Sequence, residues 1–437
     1  MQINEQNQES DFMIEKIKER PLNKKKLLRR TLTTATMAVI FGLIACLTFL
    51  LLEPVINNWL HPEEPPKEVE FPEEAVEILP ENMLVEDEPE TIIPENISLE
   101  EEQIDKILAG VELGVEDYNE LYVAMNTYTT ELSKSIVTIT GAVSNIDWFN
   151  ESYESEGFSS GVIFYNNGKE FLILLDRTPI AKAETLTATF YDGTEVEAAV
   201  KQYDSNTNLA VVAVSLTNVP DKLEEKLQVA HLGVSNTKNL TGTPIVVLGS
   251  PMGVPGSICQ GTITSSSTTL NMADANYKLL QTDVFGSQSS SGVVFDLKGQ
   301  VLGIVTNGKT SSDMKNLVAA YGISELKKMV TKLGNGEDIA YMGIVGTDVT
   351  SAANAELGVP YGAYIKEIYM DSPAMRAGIQ RGDVIVEING TSIGDYSNYV
   401  NMILNHKPDT SVTIKIMRQA QEEYKEMTFE VTLASSK

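Results

Sequence analysis

Ser159-Ser160-Gly161-Val162-Ile163-Phe164-Tyr165-Asn166-Asn167-Gly168-Lys169-Glu170-Phe171-Leu172-Ile173-Leu174-Leu175 places two short apolar runs, at 161–164 and 172–175, on either side of an asparagine and glycine break. Short β-branched runs bounded by such residues read as strands joined by a turn. The pattern continues outward in both directions. Ile136-Val137-Thr138-Ile139 lies upstream, and the runs at 186–191, 209–214, 245–248 and 301–305 lie downstream. Strands this short and this closely spaced predict a mainly β sandwich or barrel over residues 134–333. After Leu333-Gly334-Asn335-Gly336, which reads as a flexible linker, a smaller α+β unit is expected over 338–437. Its strands fall at 362–368, 384–388, 412–417 and 428–433, with a helix near 396–405.

The N-terminal part is of another kind. Thr31 to Leu52 contains no charged residue, and its 22 residues would rise roughly 33 Å as a helix, about the thickness of the hydrocarbon layer. Lys24, Lys25, Lys26, Arg29 and Arg30 precede it and Glu53 follows it. That asymmetry predicts a cytoplasmic tail over 1–30, a transmembrane helix over 31–52 and all later residues outside the cytoplasm, in a single-pass protein of the cell membrane. Residues 53–98 are rich in Pro and Glu and poor in apolar residues, so they are expected to form a disordered, extended acidic stalk. Ser98-Leu99-Glu100-Glu101 is a capping box, and a helical lead-in is expected over 99–133, with helices near 99–109 and 115–133.

Composition excludes several functions. The formal charge is −28. Residues 61–105 alone carry 17 Asp and Glu against the single Lys67, so a nucleic-acid partner is not expected. Cys46 and Cys259 are the only cysteines, one in the apolar run and one in an expected strand, so there is no disulfide framework. No cysteine and histidine cluster of metal-ligand spacing, phosphate loop or dinucleotide fingerprint is present, so no cofactor is expected.

Residue motifs make the C-terminal unit resemble a bacterial-type PDZ domain. They are Tyr341-Met342-Gly343-Ile344, Asp371-Ser372-Pro373-Ala374, Ala377-Gly378-Ile379, Gly382-Asp383-Val384-Ile385 and Ile388-Asn389-Gly390, in family order. The resemblance implies that backbone N–H groups of Tyr341, Met342, Gly343 and Ile344 receive a peptide's terminal carboxylate. The peptide would add as a strand beside 341–346, with the helix bearing Met402 as the opposite wall. The larger unit resembles the trypsin-like double barrel of the HtrA (DegP-like) family of membrane-anchored or periplasmic serine proteases. The likeness rests on Ser159 to Ile163, Tyr191-Asp192-Gly193, Tyr203-Asp204, Leu209 to Val212, Leu232 to Ser235, Leu248 to Gly253, Gln281-Thr282-Asp283 and Leu297 to Ile304.

The resemblance fails at the chemistry. The histidine position of active relatives falls on Thr178, and the position of the triad aspartate, just before Leu209-Ala210-Val211, is Asn208. The nucleophile segment reads Gln288-Ser289-Ser290-Ser291-Gly292-Val293. Counted forward from Asp283 the serine is Ser291; counted back from Leu297 it is Ser290. In either register a glycine that would shape the oxyanion hole is lost. Neither a threonine hydroxyl nor an asparagine amide is basic near neutral pH. Loss of the triad histidine costs on the order of 10⁶ in turnover. His61, His231 and His406 are the only histidines, and none aligns with the site.

These features predict a catalytically degenerate HtrA-like pseudoprotease that binds peptide C-termini or unfolded proteins, as a sensor, scaffold or regulator in protein quality control. The contrasting expectation is an active serine endopeptidase with a non-standard base, for which Lys182 and Lys309 are the candidate lysines. Family membership further implies trimeric homo-oligomers or hetero-oligomers with active relatives.

Overall fold

A computed structural model describes residues 24–60, 65–71, 114–146, 152–307, 314–421 and 423–437. The chain divides into two units, 1–65 and 66–437. In the first, helix α1 spans Lys24–Leu60. Its stretch Leu28–Phe49 has a mean hydropathy of 2.0 and is long and apolar enough to cross a membrane. Leucine, alanine and methionine favour the helix, while the threonine hydroxyls turn back onto carbonyls three or four residues earlier, as Thr34 does to Arg30 O at 2.8 Å. The expected helix near 99–109 lies outside the described residues.

The second unit begins with a short strap, 66–71, and a helix, α2 (Val115–Ser133). A mainly β body follows. Strands β1 (Ile136–Ile146), β2 (Ser152–Asn166), β3 (Glu170–Asp176), β4 (Thr185–Thr189), β5 (Glu195–Tyr203) and β6 (Leu209–Ser215) close a six-stranded barrel in the order β1-β2-β3-β6-β5-β4. After β7 (His231–Leu232) come β8 (Pro244–Ser250), β9 (Ser257–Met272), β10 (Ala275–Phe285), β11 (Ser291–Asp296), β12 (Gln300–Thr306) and β13 (Leu317–Gly322). They run β11-β8-β9-β10-β13-β12, and pairing of β12 with β11 closes a second barrel that β7 extends at one edge. The fold is therefore the expected trypsin-like double barrel. β3 and β6 are almost wholly buried, which is why they read as continuous apolar runs. β5, half exposed, alternates and turns Glu195 and Glu197 to solvent.

Helix α3 (Ile323–Gly334) then crosses the barrel and carries the chain to the PDZ unit. That unit comprises β14 (Ala340–Tyr341), β15 (Ile344–Asp348), α4 (Ser351–Leu357), β16 (Ala363–Ile368), α5 (Pro373–Ala377), β17 (Val384–Ile388), β18 (Thr391–Ser392), α6 (Tyr396–Asn405), β19 (Ser411–Ala420), β20 (Glu423–Thr432) and β21 (Ala434–Ser435). It has its own core, in which Ile344, Ile365, Ile385, Ile414 and Ile416 are fully buried.

Two segments differ from expectation, and each explains the other. The supposed flexible linker at 333–336 holds the last residues of α3, its cap Asn335 and the turn that follows, with Leu333 fully buried. Part of the supposed stalk lies against it. Val69 is buried, its N–H donates to Asn335 Oδ1 at 2.8 Å, and Asn335 Nδ2 returns a bond to Val69 O at 3.2 Å. Lys67 N donates to Asn167 O at 2.9 Å, and the rings of Phe71 and Phe164 lie 6.2 Å apart. Charge density made 53–98 look uniformly solvated, but Val69 and Phe71 supply enough apolar area to dock the strap.

Asn335→Ala removes both side-chain bonds to the strap. At about 0.5–1.5 kcal/mol each, their loss is expected to raise hydrogen exchange at the Val69 amide at least several-fold while leaving β3 and β6 unchanged. Unaltered exchange at Val69 would contradict the clip.

Candidate functional site

The serine segment sits where the two barrels touch, because β11 packs across β2. Ser291 opens β11, paired with Ser250 of β8, and its Oγ accepts the N–H of Ser160 on β2 at 3.0 Å. The Ser160 and Ser250 hydroxyls lie 2.7 Å apart. Both Ser250 and Ser291 are buried. Ser290, one residue earlier, donates its hydroxyl to Asn307 Oδ1 at 2.7 Å, and Asn307 Nδ2 donates back to Ser290 O. The two candidate serines are thus held by an amide side chain and a main-chain N–H. Neither partner can take a proton.

The backbone around them is also spoken for. Ser290 N donates to Ser287 O at 3.1 Å, and Ser289 N to Ser287 Oγ at 3.1 Å. An oxyanion needs such N–H groups pointing outward and free; here both close a local turn. Gly292, at φ +135°, has no room for a side chain, since a Cβ would meet Leu248 O at 2.2 Å.

Thr178 and Asn208 are neighbours, joined through Arg177 N to Asn208 O at 2.9 Å. Thr178 is exposed at the start of a single 3-10 turn, Thr178–Ile180, and gives its N–H and hydroxyl to Asp176 Oδ1 at 2.8 and 2.5 Å. Asn208 adopts φ +60°, a left-handed backbone that asparagine tolerates. The Arg177 guanidinium stacks on Tyr203 at 3.7 Å from the ring centre. No hydrogen bond joins the Thr178 or Asn208 side chain to Ser290 or Ser291 among the described residues. His231 is exposed and pairs with Gln300 at the outer edge of the second barrel. His406 faces Asn389 in the PDZ unit at 3.5 Å. Lys182 is exposed, while Lys309 and His61 lie outside the described residues.

Between the barrels a cavity of about 540 Å³ is lined by Thr138, Thr140, Phe190, Tyr191, Leu248 and Ile258 among others, with no carboxylate, histidine or lysine. Burial pushes the Cys259 thiol up, away from thiolate formation near neutral pH. No group of three or more His, Cys, Asp or Glu side chains among the described residues could hold a metal.

The second candidate site is the loop 341–344, between β14 and β15. Gly343, at φ +85°, lets the loop turn its N–H groups to one side, and a Cβ there would meet Ser372 Cβ at 2.3 Å. The three N–H groups of Met342, Gly343 and Ile344 converge on a carboxylate, that of Asp274. Met342 N and Gly343 N reach Oδ2 at 2.7 Å each, and Ile344 N reaches Oδ1 at 3.1 Å. Tyr399 of α6 donates its hydroxyl to Oδ1 at 2.5 Å. Burial raises the Asp274 carboxyl above the ordinary range, against the lowering by these four donors. Tyr399 is pushed far up by burial and by the charge of Asp274. Tyr341 stays partly exposed beside the loop, and Met402 packs against the PDZ core. Beside β15 a cavity of about 810 Å³ takes Tyr396, Val400 and Leu404 from α6.

A trypsin-like peptidase domain model matches residues 159–304, and a PDZ domain model matches residues 364–418. The chain carries a trypsin-like domain and a C-terminal PDZ domain. It is similar to the serine protease Do-like HtrA of Bacillus subtilis, 28% identical over 331 residues that cover 69% of this chain and 71% of that one. It is also similar to a probable periplasmic serine endoprotease, DegP-like, of Halomonas elongata, 27% identical over 62% of this chain and 56% of the relative. Among solved structures, a variant of the HtrA-type protease AlgW with a decapeptide matches with a TM-score of 0.51 at 20% identity, over 70% of this chain and 97% of that one. That last likeness concerns the fold.

Sequence reasoning missed Asn307, which holds Ser290, and Asp274 and Tyr399 at the PDZ loop. Asn307 stands just beyond the apolar run of β12, and nothing in its flanking residues marks it. The double substitution Thr178→His with Asn208→Asp is expected to leave fluorophosphonate labelling at the level of a Ser290→Ala, Ser291→Ala control, because the N–H groups and hydroxyls remain internally bonded. Labelling of either serine above that control would contradict this geometry.

Proposed function

We propose that this chain is a membrane-anchored, extracytoplasmic HtrA-like pseudoprotease that binds peptide C-termini or unfolded segments through its PDZ domain in a quality-control role. The observation that carries this reading is the company kept by Ser290 and Ser291. A serine hydroxyl attacks a carbonyl only when a base removes its proton, and these two are bonded to Asn307 and to the Ser160 N–H. With Thr178 and Asn208 at the positions assigned to the base and its orienting acid, the usual mechanism has no proton acceptor.

Recognition chemistry is better provided. Three N–H groups of the 342–344 loop converge on one anionic group, as capture of a terminal carboxylate requires, and β15 offers an edge for strand addition. The basic residues at the start of α1, ahead of its apolar stretch, and the acidic residues after that stretch support an N-terminus in the cytoplasm and the 66–437 unit outside.

The test uses the purified full chain with fluorescent decapeptides ending in Val, Leu or Ala, each as free acid and as C-terminal amide. Free acids are expected to bind roughly 100-fold more tightly than amides and to be recovered uncut. Gly343→Val, which forces a side chain into Ser372, should lower free-acid binding to background. Equal binding of acids and amides would remove the recognition half of the proposal, and cleavage of the peptides the other half.

A further inference from the structure

The carboxylate that fills the PDZ loop belongs to the chain itself, and its setting reproduces what a peptide end would make there. Asp274 lies at the tip of the β9–β10 hairpin, where Met272 pairs with Ala275 and only Ala273 and Asp274 form the turn. Besides its four side-chain bonds, Asp274 donates its own N–H to Ile344 O at 2.7 Å. Two residues further on, Asn276 Nδ2 reaches Gly346 O at 3.4 Å. A carboxylate in a nest of N–H groups, with one main-chain bond to the adjacent strand and one side-chain bond further along it, resembles the anchoring end of peptide capture by strand addition.

We propose that Asp274 is a built-in ligand of the PDZ loop, so that a peptide's terminal carboxylate binds by displacing it and thereby frees the β9–β10 hairpin from the PDZ unit. This rests on the peptide-binding reading above. Several observations favour it over a plain structural joint. No lysine or arginine pairs with Asp274 among the described residues; its charge is met by N–H and O–H donors alone. A joint between two domains has no need of a lone buried carboxylate, which is costly to desolvate and is ordinarily paired. The turn also holds Asp274 at φ +54°, a left-handed backbone that a non-glycine residue visits at some cost. Its neighbours Ala273 and Ala275 are small and buried, which lets the tip enter. Burial works against the docked charge even with four donors present. The cavity beside β15, lined by Thr347, Asp348 and Val400, leaves room for the upstream residues of an incoming chain.

The decisive experiment compares the full chain with Asp274→Asn and with Asp274→Gly, which keeps the left-handed turn. Binding of free-acid and amidated decapeptides ending in Val is measured together with hydrogen exchange at 342–344. Removing the internal ligand is expected to tighten free-acid binding about ten-fold or more, because the competent fraction of the loop rises. Amide binding should not change. Exchange at Gly343 and Ile344 should quicken by a similar factor while Ile414 and Ile416 in the PDZ core stay protected. Unchanged exchange at 343–344, or free-acid affinity equal in native chain and variants, overturns the proposal. Faster exchange with no peptide binding in any variant keeps Asp274 in its seat and removes the peptide-binding reading instead.

Discussion

The serines between the barrels are held by groups that cannot accept a proton, and the functional reading depends on that constraint. A trypsin-like frame brings β11 against β2 so that a hydroxyl, a base and an oxyanion pocket meet at one point. Here the frame survives and the meeting point is filled by hydroxyls. The Ser160 and Ser250 hydroxyls are bonded to each other, Ser291 Oγ accepts the Ser160 main-chain N–H, and Ser290 is locked to Asn307. Such a network satisfies buried polar groups, as stability requires. It also uses the hydroxyl and amide positions that catalysis would need free.

The PDZ unit shows the converse arrangement, in which the N–H groups proposed to receive a peptide are satisfied from within. It is joined to the barrels by more than Asp274. Gln202 Nε2 reaches Asp338 Oδ1 at 2.6 Å, Lys328 Nζ reaches Asn401 Oδ1 at 2.9 Å, and Lys332 Nζ reaches His406 O at 2.9 Å. Gln202 is itself buried, whereas the Lys328 contact is exposed to solvent. The hairpin tip is buried as well. On the proposal above, displacing the tip would loosen one of several contacts that hold the PDZ unit, which keeps its own core and its link through α3.

Much of the fold was legible because strand burial writes itself into composition. β3 and β6 read as unbroken apolar runs, and the glycines of the PDZ turns stand at fixed offsets, as at Gly378, Gly382 and Gly390, all at positive φ. The strap at 66–71 was not legible, since two apolar residues among prolines and glutamates carry no period. At the sites, Thr178 and Asn208 are assigned to the base and acid positions by motif order alone, and that assignment is part of the proposal. Asp274 could not be read from the sequence. The loop it fills lies 68 to 70 residues away in sequence, and Asn271-Met272-Ala273-Asp274-Ala275-Asn276 looks like an ordinary hairpin tip. Contacts of that range are set by docking of whole domains, which local patterns do not encode.

The central claim, that no group in the cleft activates a serine, is tested most directly by comparing hydrolysis of an activated p-nitrophenyl ester by the purified full chain and by its Ser290→Ala, Ser291→Ala variant. The account predicts equal rates, both at the level of a folded protein without an active site. A native rate ten-fold or more above the variant's, rising with pH through the range in which a base would lose its proton, would contradict it.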